Sequence, residues 1–386
     1  MSRWKRVERF ALSILHKLDP ERAHNLAVWW LKFGYPLVVG LSKGEAMLFR
    51  LLGLPERKTS QRTFPSLESK VFGLSFATPL GMAAGDDKKA EIFPSLLQLG
   101  FSSVEVGTFT PQPQKGNLGT RLFRLEDEKS IINRMGLNNC GFDQAEKNLR
   151  SKKNQQGVVG VSIGPNKDTL DRIDDYVAGV VRFSGLADYL VLNLSCPNIA
   201  GGRDLQKRDA LEHLLQHINK ERKDKTPLLL KIAPDLSSQE EEDISEVALG
   251  GAVDGLVISN TRPDKRKVGQ EMEWGGISGR LLFEDSTQQL KRIYKLTGGH
   301  VPLVGVGGIF TAQDAYDKIL AGASLVQLYT ALIYEGFSVI ERIHKGLAEF
   351  LERDGYESIS DAVGQGVSHA VEQEHDAFQQ TRRAVA

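Results

Sequence analysis

Two cysteines in 386 residues, Cys140 and Cys196, are too few and too far apart for a disulfide framework or a metal-ligand spacing. Their scarcity points to a reducing, intracellular compartment. Histidine is also sparse, and only His213 and His217 share a helix face. The residues between them lack the glutamate of a zinc-protease motif, so both read as solvated helix residues. Nor is there an excess of charge: 49 basic residues balance 49 acidic ones, which leaves no global field to draw in a nucleic-acid backbone. No nucleic-acid partner is expected. The first residues have no uninterrupted apolar core followed by a small-residue cleavage site, which argues against a signal peptide, and no run is suited to span a bilayer.

What the chain does carry is a set of eight hydrophobic runs rich in β-branched residues between 77 and 332. They are 77–85 (ATPLGMAAG), 101–109 (FSSVEVGTF), 158–164 (VVGVSIG), 188–197 (DYLVLNLSCP), 227–234 (PLLLKIAP), 253–260 (VDGLVISN), 301–309 (VPLVGVGGI) and 324–332 (SLVQLYTAL). Strands buried on both faces read as near-continuous apolar runs, as these do. Segments such as 281–297 and 312–321 are long enough for a crossover helix, so neighbouring strands are expected to run parallel. Together they predict an α/β fold, a (β/α)8 TIM barrel, whose core a chain with 41% hydrophobic residues is able to fill. A doubly wound open sheet is the alternative, disfavoured by the number of strands. Barrels place their chemistry at the carboxyl ends of the strands, which makes Lys88, Thr108, Ser162, Asn193, Cys196, Asn198, Lys231, Asn260 and Thr261 the candidates.

The ends of the chain follow another pattern. Val7, Phe10, Ala11, Ile14, Leu15 and Leu18 form an apolar stripe at helical spacing, with Arg3, Lys5, Arg6 and Arg9 near its start. Asp19 then supplies an N-cap and Pro20 a first-turn proline for a second stripe, Ala23, Leu26, Ala27, Trp30 and Leu31. Residues 1–54 therefore predict a helical hairpin, unusually aromatic through Trp29, Trp30, Phe33 and Tyr35. Such helices suit a membrane interface, and the same stripes equally suit packing on the barrel. Residues 55–65 read as a polar connector, 66–350 as the barrel, and 351–386 as a polar tail whose end is disordered or a loosely docked helix.

Several constellations carry chemistry. Gly305-Val306-Gly307-Gly308 near the seventh run and Tyr329-Thr330 near the eighth lie where barrels bind a phosphate through backbone N–H groups. Phe310 stands in the place of a third glycine, so this is no dinucleotide fingerprint. Lys231 sits on an apolar strand, where its amine either holds negative charge at the barrel mouth or makes an internal ion pair. Asn193, Ser195, Cys196 and Asn198 crowd the end of the fourth run, and Asn133, Asn138, Asn139, Asn260 and Thr261 add more neutral donors and acceptors. With Lys88 they suit a polar heterocycle carrying a carboxylate, and no cluster of histidines and carboxylates points to metal hydrolysis. Cys196 is either a proton-abstracting thiol or inert packing.

These residues, in this order, resemble the dihydroorotate dehydrogenases, specifically the membrane-associated, quinone-using class 2. The resemblance runs from LDPERAH (18–24) to about residue 347, through PLGMAAGDDK (79–88), EVGTFTPQPQKGN (105–117), TRLFRL (120–125) and INRMGLNN (132–139). It continues through NLSCPN (193–198), KIAPDL (231–236), SNT (259–261), GGISGR (275–280), GVGGI (305–309) and GASLVQLYT (322–330). The N-terminal hairpin is what resembles class 2, since soluble class 1 enzymes lack it.

The resemblance implies oxidation of (S)-dihydroorotate to orotate in pyrimidine synthesis, with flavin mononucleotide (FMN) held by Ala84, Gly85, Lys88, Thr108, Ser162, Asn193, Lys231, Ser259, Gly279, Gly308, Tyr329 and Thr330. Substrate contacts would be Lys88, Asn133, Arg134, Met135, Gly136, Leu137, Asn193, Asn198, Asn260 and Thr261. Cys196 would take a proton from C5 as hydride leaves C6 for the flavin. A membrane quinone would enter between the N-terminal helices, placing the protein on the cytoplasmic side of the cell membrane as a peripheral protein. The loop 199–209 would close over substrate. Three residues depart from the class 2 pattern: Cys196 replaces the usual serine base, Ser162 an asparagine, and Leu137 a phenylalanine. They keep two other readings in view, a diverged flavin oxidoreductase using another cyclic imide or a soluble acceptor, and a flavin-binding membrane-surface protein without turnover.

Overall fold

The computed structural model describes residues 3–37, 64–151, 156–195, 204–268 and 271–367. Cys196, Asn198, the loop 199–203 and the tail 368–386 lie outside the described residues. The chain opens with helix α1 (Arg3–Leu15) and helix α2 (Pro20–Trp29). The Asp19 side chain accepts from the amides of Glu21 and Arg22, and Pro20 occupies the first turn, where no amide is missed. Then come the short strands β1 (Ser69–Val71) and β2 (Leu74–Phe76), followed by β3 (Leu80–Met82), α3 (Phe93–Gln98) and β4 (Ser103–Phe109). An excursion, β5 (Leu122–Leu125) and β6 (Ser130–Asn133), precedes α4 (Gly141–Arg150), β7 (Val158–Ile163), α5 (Arg172–Phe183), β8 (Tyr189–Asn193) and α6 (Arg208–Glu221). The chain goes on through β9 (Leu228–Lys231), α7 (Ser238–Leu249) and β10 (Gly255–Ile258), and makes a second excursion, β11 (Arg262–Val268) and β12 (Glu271–Gly279). It closes with α8 (Phe283–Thr297), β13 (Leu303–Val306), α9 (Ala312–Leu320), β14 (Ala323–Leu328), α10 (Thr330–Glu335), α11 (Ser338–Asp354) and α12 (Ile359–Ala362).

The strands β3, β4, β7, β8, β9, β10, β13 and β14 close into a barrel in chain order, every neighbour parallel. Seven of the eight hydrophobic runs contain one of them and the eighth begins one residue inside β14, and the open-sheet alternative is excluded by the closing pair β3–β14. Outside the barrel, Leu190, Leu192, Leu228, Leu230, Leu256 and Leu303 face the helices; inside, Val191, Leu229, Val257, Val304 and Leu325 fill the lower lumen. Alternation along each strand divides one apolar run between two cores.

The β1–β2 hairpin stoppers the amino-terminal end of this lumen. Its turn residues Phe72 and Gly73 have φ of 54° and 77°, a left-handed geometry that fits a two-residue hairpin turn. Val71 and Phe76 pack against the inward residues, and a Cβ at Gly255 would meet the Phe72 ring at 2.5 Å. At the other end, the two excursions pair into one antiparallel sheet in the order β11-β12-β6-β5.

Both readings of the N-terminal stripes have a face in the structure. Ala23, Leu31 and Tyr35 are buried, Trp30 stacks near Phe337 at 6.3 Å, and Ser95 donates to the Leu31 carbonyl at 2.7 Å. Phe10, Ile14, Leu26, Trp29, Phe33 and Leu37 stay exposed. Arg124 binds the hairpin's turn by donating to the carbonyls of Leu15, His16 and Leu18. Among the described residues, no helix is long and apolar enough to cross a membrane. His213 and His217 are exposed on α6. From residue 351 to 367 the chain stays docked: Ile359 and Ala362 are buried, and Gly364 donates to the Ile319 carbonyl at 3.0 Å. A helix of this length is too short to show a period in sequence.

Phe76 is 2% exposed beneath the lumen. Phe76→Ala is expected to lower unfolding stability in urea by about 3–5 kcal/mol, the range for emptying a packed aromatic site; a loss under about 1 kcal/mol would mean that the hairpin is not a packed floor.

Candidate active site

The carboxyl ends of the barrel strands, the β5–β6–β11–β12 sheet and helix α2 enclose a cavity of about 1350 Å³, counted to its open mouth. At its base, Lys231 is buried with its amine 3.7 Å from Oε1 of Glu105, itself fully buried on β4. Gln327 donates to Glu105 Oε2 at 3.0 Å and to the Tyr189 hydroxyl at 3.3 Å. Glu105 Oε1 has no hydrogen bond of its own. The carboxylate therefore offsets the charge of Lys231 without binding the amine closely, and the amine remains on the cavity wall.

Above the lysine, one polar chain joins strands that are far apart in sequence. Ser162 and Thr108 share a hydrogen bond of 2.8 Å, Asn193 donates to Thr108 Oγ1 at 2.9 Å, and Asn260 donates to Asn193 Oδ1 at 3.0 Å. Asn260 also donates to Ser195 Oγ at 3.0 Å, and Ser195 donates to the Lys231 carbonyl at 2.8 Å. Tyr176 anchors the Asn193 carbonyl at 2.7 Å. Such satisfied networks fix amide orientation. Cys196 follows directly on Ser195.

One wall is bare backbone. At Gly308 (φ 75°) a Cβ would lie 2.8 Å from the Phe283 nitrogen, and at Gly279 (φ 93°) 2.4 Å from the Lys129 carbonyl. No side chain fits at either, so their backbone faces the cavity uncovered, beside Tyr329 and Thr330 at the start of α10. Arg280 clamps this wall through both oxygens of Asp314 at 2.8 Å, and Asp314 accepts from the Phe310 and Thr311 amides.

Opposite it, the loop after β6 is pinned from outside: Asn117 donates to the Arg134 carbonyl at 2.9 Å, and Gln114 to the Leu137 carbonyl at 3.0 Å. This presents Met135, Gly136, Leu137 (φ 51°) and Asn138 to the cavity, with Asn138 Oδ1 buried and unpartnered. Asn133 donates to the Gly276 carbonyl at 3.0 Å, tying the loop to β12.

Toward helix α2 the lining becomes ionisable. Glu21 bonds Arg121 Nε at 3.0 Å, which holds its carboxyl below the usual range. His24 Nδ1 lies 3.5 Å from Asp86 Oδ1, and Lys88 donates to the Gly85 carbonyl. Burial dominates here: it pushes His24 down to about 3, helped by the Lys88 charge, and lifts Asp86 to about 7 against the pull of Lys88. Lys88 is likewise lowered by burial, opposed first by Asp86. Near neutral pH an uncharged imidazole thus faces a carboxyl poised between its two forms.

Of the residues singled out in the sequence, Ala84, Gly85, Lys88, Thr108, Asn133, Met135, Gly136, Leu137, Asn193, Lys231, Ser259, Asn260, Thr261, Gly279, Gly308, Tyr329 and Thr330 line this one cavity. Ser162 stands behind Thr108. The Arg134 side chain turns outward to Glu273 at 2.5 Å and to the Phe123 ring, away from the lining. Cys196 and Asn198 lie outside the described residues. Sequence reasoning missed Glu105, His24, Glu21 and Asp86 as site residues. Glu105 carries the same signal as Lys231, a charge inside a strand otherwise apolar.

A family model described as dihydroorotate dehydrogenase matches residues 66–351. A relative from Parvibaculum lavamentivorans, named dihydroorotate dehydrogenase (quinone), is 45% identical over 361 residues, covering 93% of this chain and 98% of its own. One of the same name from Rhodospirillum rubrum is 43% identical, over 92% of this chain and 94% of its own. Ligand-free dihydroorotate dehydrogenase from Eimeria tenella matches with a TM-score of 0.78 at 39% identity, covering 90% of this chain and 99% of that one.

The raised Asp86 has a consequence for stability. Between its ordinary value of 3.8 and about 7 the folded chain holds this proton more firmly than the unfolded chain. Its contribution is therefore full at acid pH and lost as pH rises toward 7. The stability of Asp86→Asn relative to wild type is expected to increase between about pH 4 and about pH 8 in urea titrations. A difference that is flat with pH would show an Asp86 with an ordinary acidity.

Proposed function

Since the chain belongs to the dihydroorotate dehydrogenase family, we propose that it oxidises (S)-dihydroorotate to orotate in pyrimidine synthesis and passes the electrons to a membrane quinone. The observation that carries this reading is the cavity itself, in which the amines of Lys88 and Lys231, a ring of neutral amides and a bare backbone wall converge.

The cavity fits FMN. Gly279 and Gly308 line the cavity with backbone alone, as close approach of a phosphate to N–H groups requires, with Tyr329 and Thr330 beside them. Lys231 supplies the positive charge suited to the electron-rich end of an isoalloxazine, and the Thr108–Asn193 pair offers fixed donors and acceptors to its polar edge. Ala84, Gly85, Lys88, Ser162 and Ser259 complete the proposed cofactor set. When bound, a flavin supplies the hydride acceptor for dihydroorotate and the electron donor for the quinone.

The chain's own residues do the rest. Lys88 pairs with the substrate carboxylate; Asn133, Asn193, Asn198, Asn260 and Thr261 bond its imide, with Met135, Gly136 and Leu137 closing the face. Arg134 acts from outside, by holding the loop to β12 through Glu273. Cys196 takes the C5 proton. A thiol has a pKa of about 8.5, so the fraction of active base rises through mildly alkaline pH. The exposed Phe10, Trp29 and Phe33 dock the α1–α2 hairpin on the cytoplasmic surface of the membrane, and quinone enters beside His24, Leu122 and Ile333.

With dihydroorotate and a short-chain quinone, the protein is expected to turn over, and Cys196→Ala to lose about 10²–10⁴-fold in kcat, the usual worth of a general base. Cys196→Ser is expected to move the pH–rate profile to higher pH. A Cys196→Ala variant of near wild-type rate would overturn the role of the thiol. The double variant Trp29→Ser/Phe33→Ser is expected to bind lipid vesicles about tenfold less tightly in sedimentation, from the lost apolar burial. Unchanged vesicle binding would dismiss the hairpin as the membrane contact.

A further inference from the structure

Lys318 is fully buried between α9 and α8, on the far side of the Gly305–Gly308 turn from the cavity. Its stem lies on the turn's strand, since a Cβ at Gly305 would sit 3.2 Å from Lys318 Cδ. The amine donates to Ser286 Oγ at 2.8 Å and Thr287 Oγ1 at 2.9 Å, and lies 5.1 Å from the centre of the Phe283 ring. Ser286 in turn reaches the Gly307 carbonyl at 3.4 Å, and Phe283 is the residue against whose backbone Gly308 packs. The amine is thus one hydroxyl away from the bare wall.

The carboxylates that face it are committed elsewhere. Asp314 is bound by Arg280 and two amides, Asp317 accepts from Gln313 at 2.6 Å, and Glu284 accepts from Gln288 at 2.9 Å. Among the described residues none comes within ion-pair distance of Lys318. A buried cation without a paired anion is costly, and apolar packing would be served by methionine. Burial accordingly brings the amine down to about 7, with Asp314, Glu284 and Asp317 opposing.

We propose that Lys318 is a counter-charge for a dianionic phosphate seated on the Gly307–Gly308 turn, acting through the turn from behind, and that its amine becomes more fully protonated from solvent as the phosphate arrives. The inference rests on the phosphate placement proposed above. The proton balance is simple: the amine gains a proton from buffer, and no bond to the phosphate forms or breaks. Affinity for the phosphate-bearing ligand is then greatest with the amine charged and falls as pH rises past 7.

The test is calorimetric titration of flavin-stripped protein with FMN and with riboflavin, which lacks the phosphate, in buffers of different ionisation enthalpy from about pH 7 to about pH 9, where the phosphate is already dianionic. Wild type is expected to take up protons with FMN and none with riboflavin, and its FMN affinity to fall about fivefold across the range, the effect of a one-unit rise in the pKa of an amine already half charged at pH 7. Lys318→Met is expected to bind FMN about fivefold less tightly at neutral pH, without proton uptake, and riboflavin as before. Tight, FMN-selective binding without proton uptake in wild type would overturn the role of Lys318 and leave the phosphate site standing, an outcome that does not depend on any variant folding. Equal affinity for FMN and riboflavin would overturn the phosphate site and the proposal together.

Discussion

A lysine amine on a barrel strand has to be held where its charge finds a use, and the pairing of Lys231 with Glu105 sets that constraint for the whole interior. The carboxylate is fully buried and 3.7 Å away, near enough to offset the charge but not to bind the amine closely. At an effective dielectric near 20, a unit charge at about 4 Å is worth roughly 4 kcal/mol, so the pair tolerates its burial while the amine still faces the cavity. Of the two roles that the sequence suggests for Lys231, the structure shows the internal ion pair and leaves the amine on the cavity lining, where the proposed function uses it. Gln327 and Tyr189 hold Glu105 from below, and the apolar layer under them, floored by the β1–β2 hairpin, keeps water out.

Above that layer a polar network is built from the strand ends. The chain of bonds from Ser162 through Thr108, Asn193 and Asn260 to Ser195 crosses four barrel strands and their following loops, so the amides are oriented before any ligand arrives. The α1–α2 hairpin then supplies what the barrel lacks. It places Glu21 and His24 on the open side of the cavity while leaving Phe10, Ile14, Leu26 and Trp29 exposed. In the proposed function, this one short element serves both a water-soluble substrate and an electron acceptor held in lipid.

Much of this is legible in the sequence, for identifiable reasons. Parallel strands buried on both faces are largely apolar, and all eight barrel strands, β14 but for its first residue, fall inside runs that stand out from the residues alone. The four outer strands do not stand out: β11 (RPDKRKV) alternates half-buried and exposed charged residues and pairs only with β12, while β12 also pairs with β6 more than a hundred residues earlier. Lys231 is conspicuous because a cation in LLLKIAP has no packing purpose. Glu105 in SVEVGTF carries the same signal, hidden within what reads as an ordinary strand. His24 and Glu21 belong to LDPERAH, whose capping role masks their place in the cavity, and the environment that lifts Asp86 depends on burial beside His24, a contact across about sixty residues that no local pattern contains.

The central claim is that this cavity holds a flavin which dihydroorotate reduces. Mixing the purified yellow protein with dihydroorotate in the absence of oxygen and following the flavin absorbance tests it most directly. Rapid bleaching with one orotate formed per flavin is the predicted result. A flavin that keeps its colour would contradict the account and direct attention to another cyclic imide as the substrate.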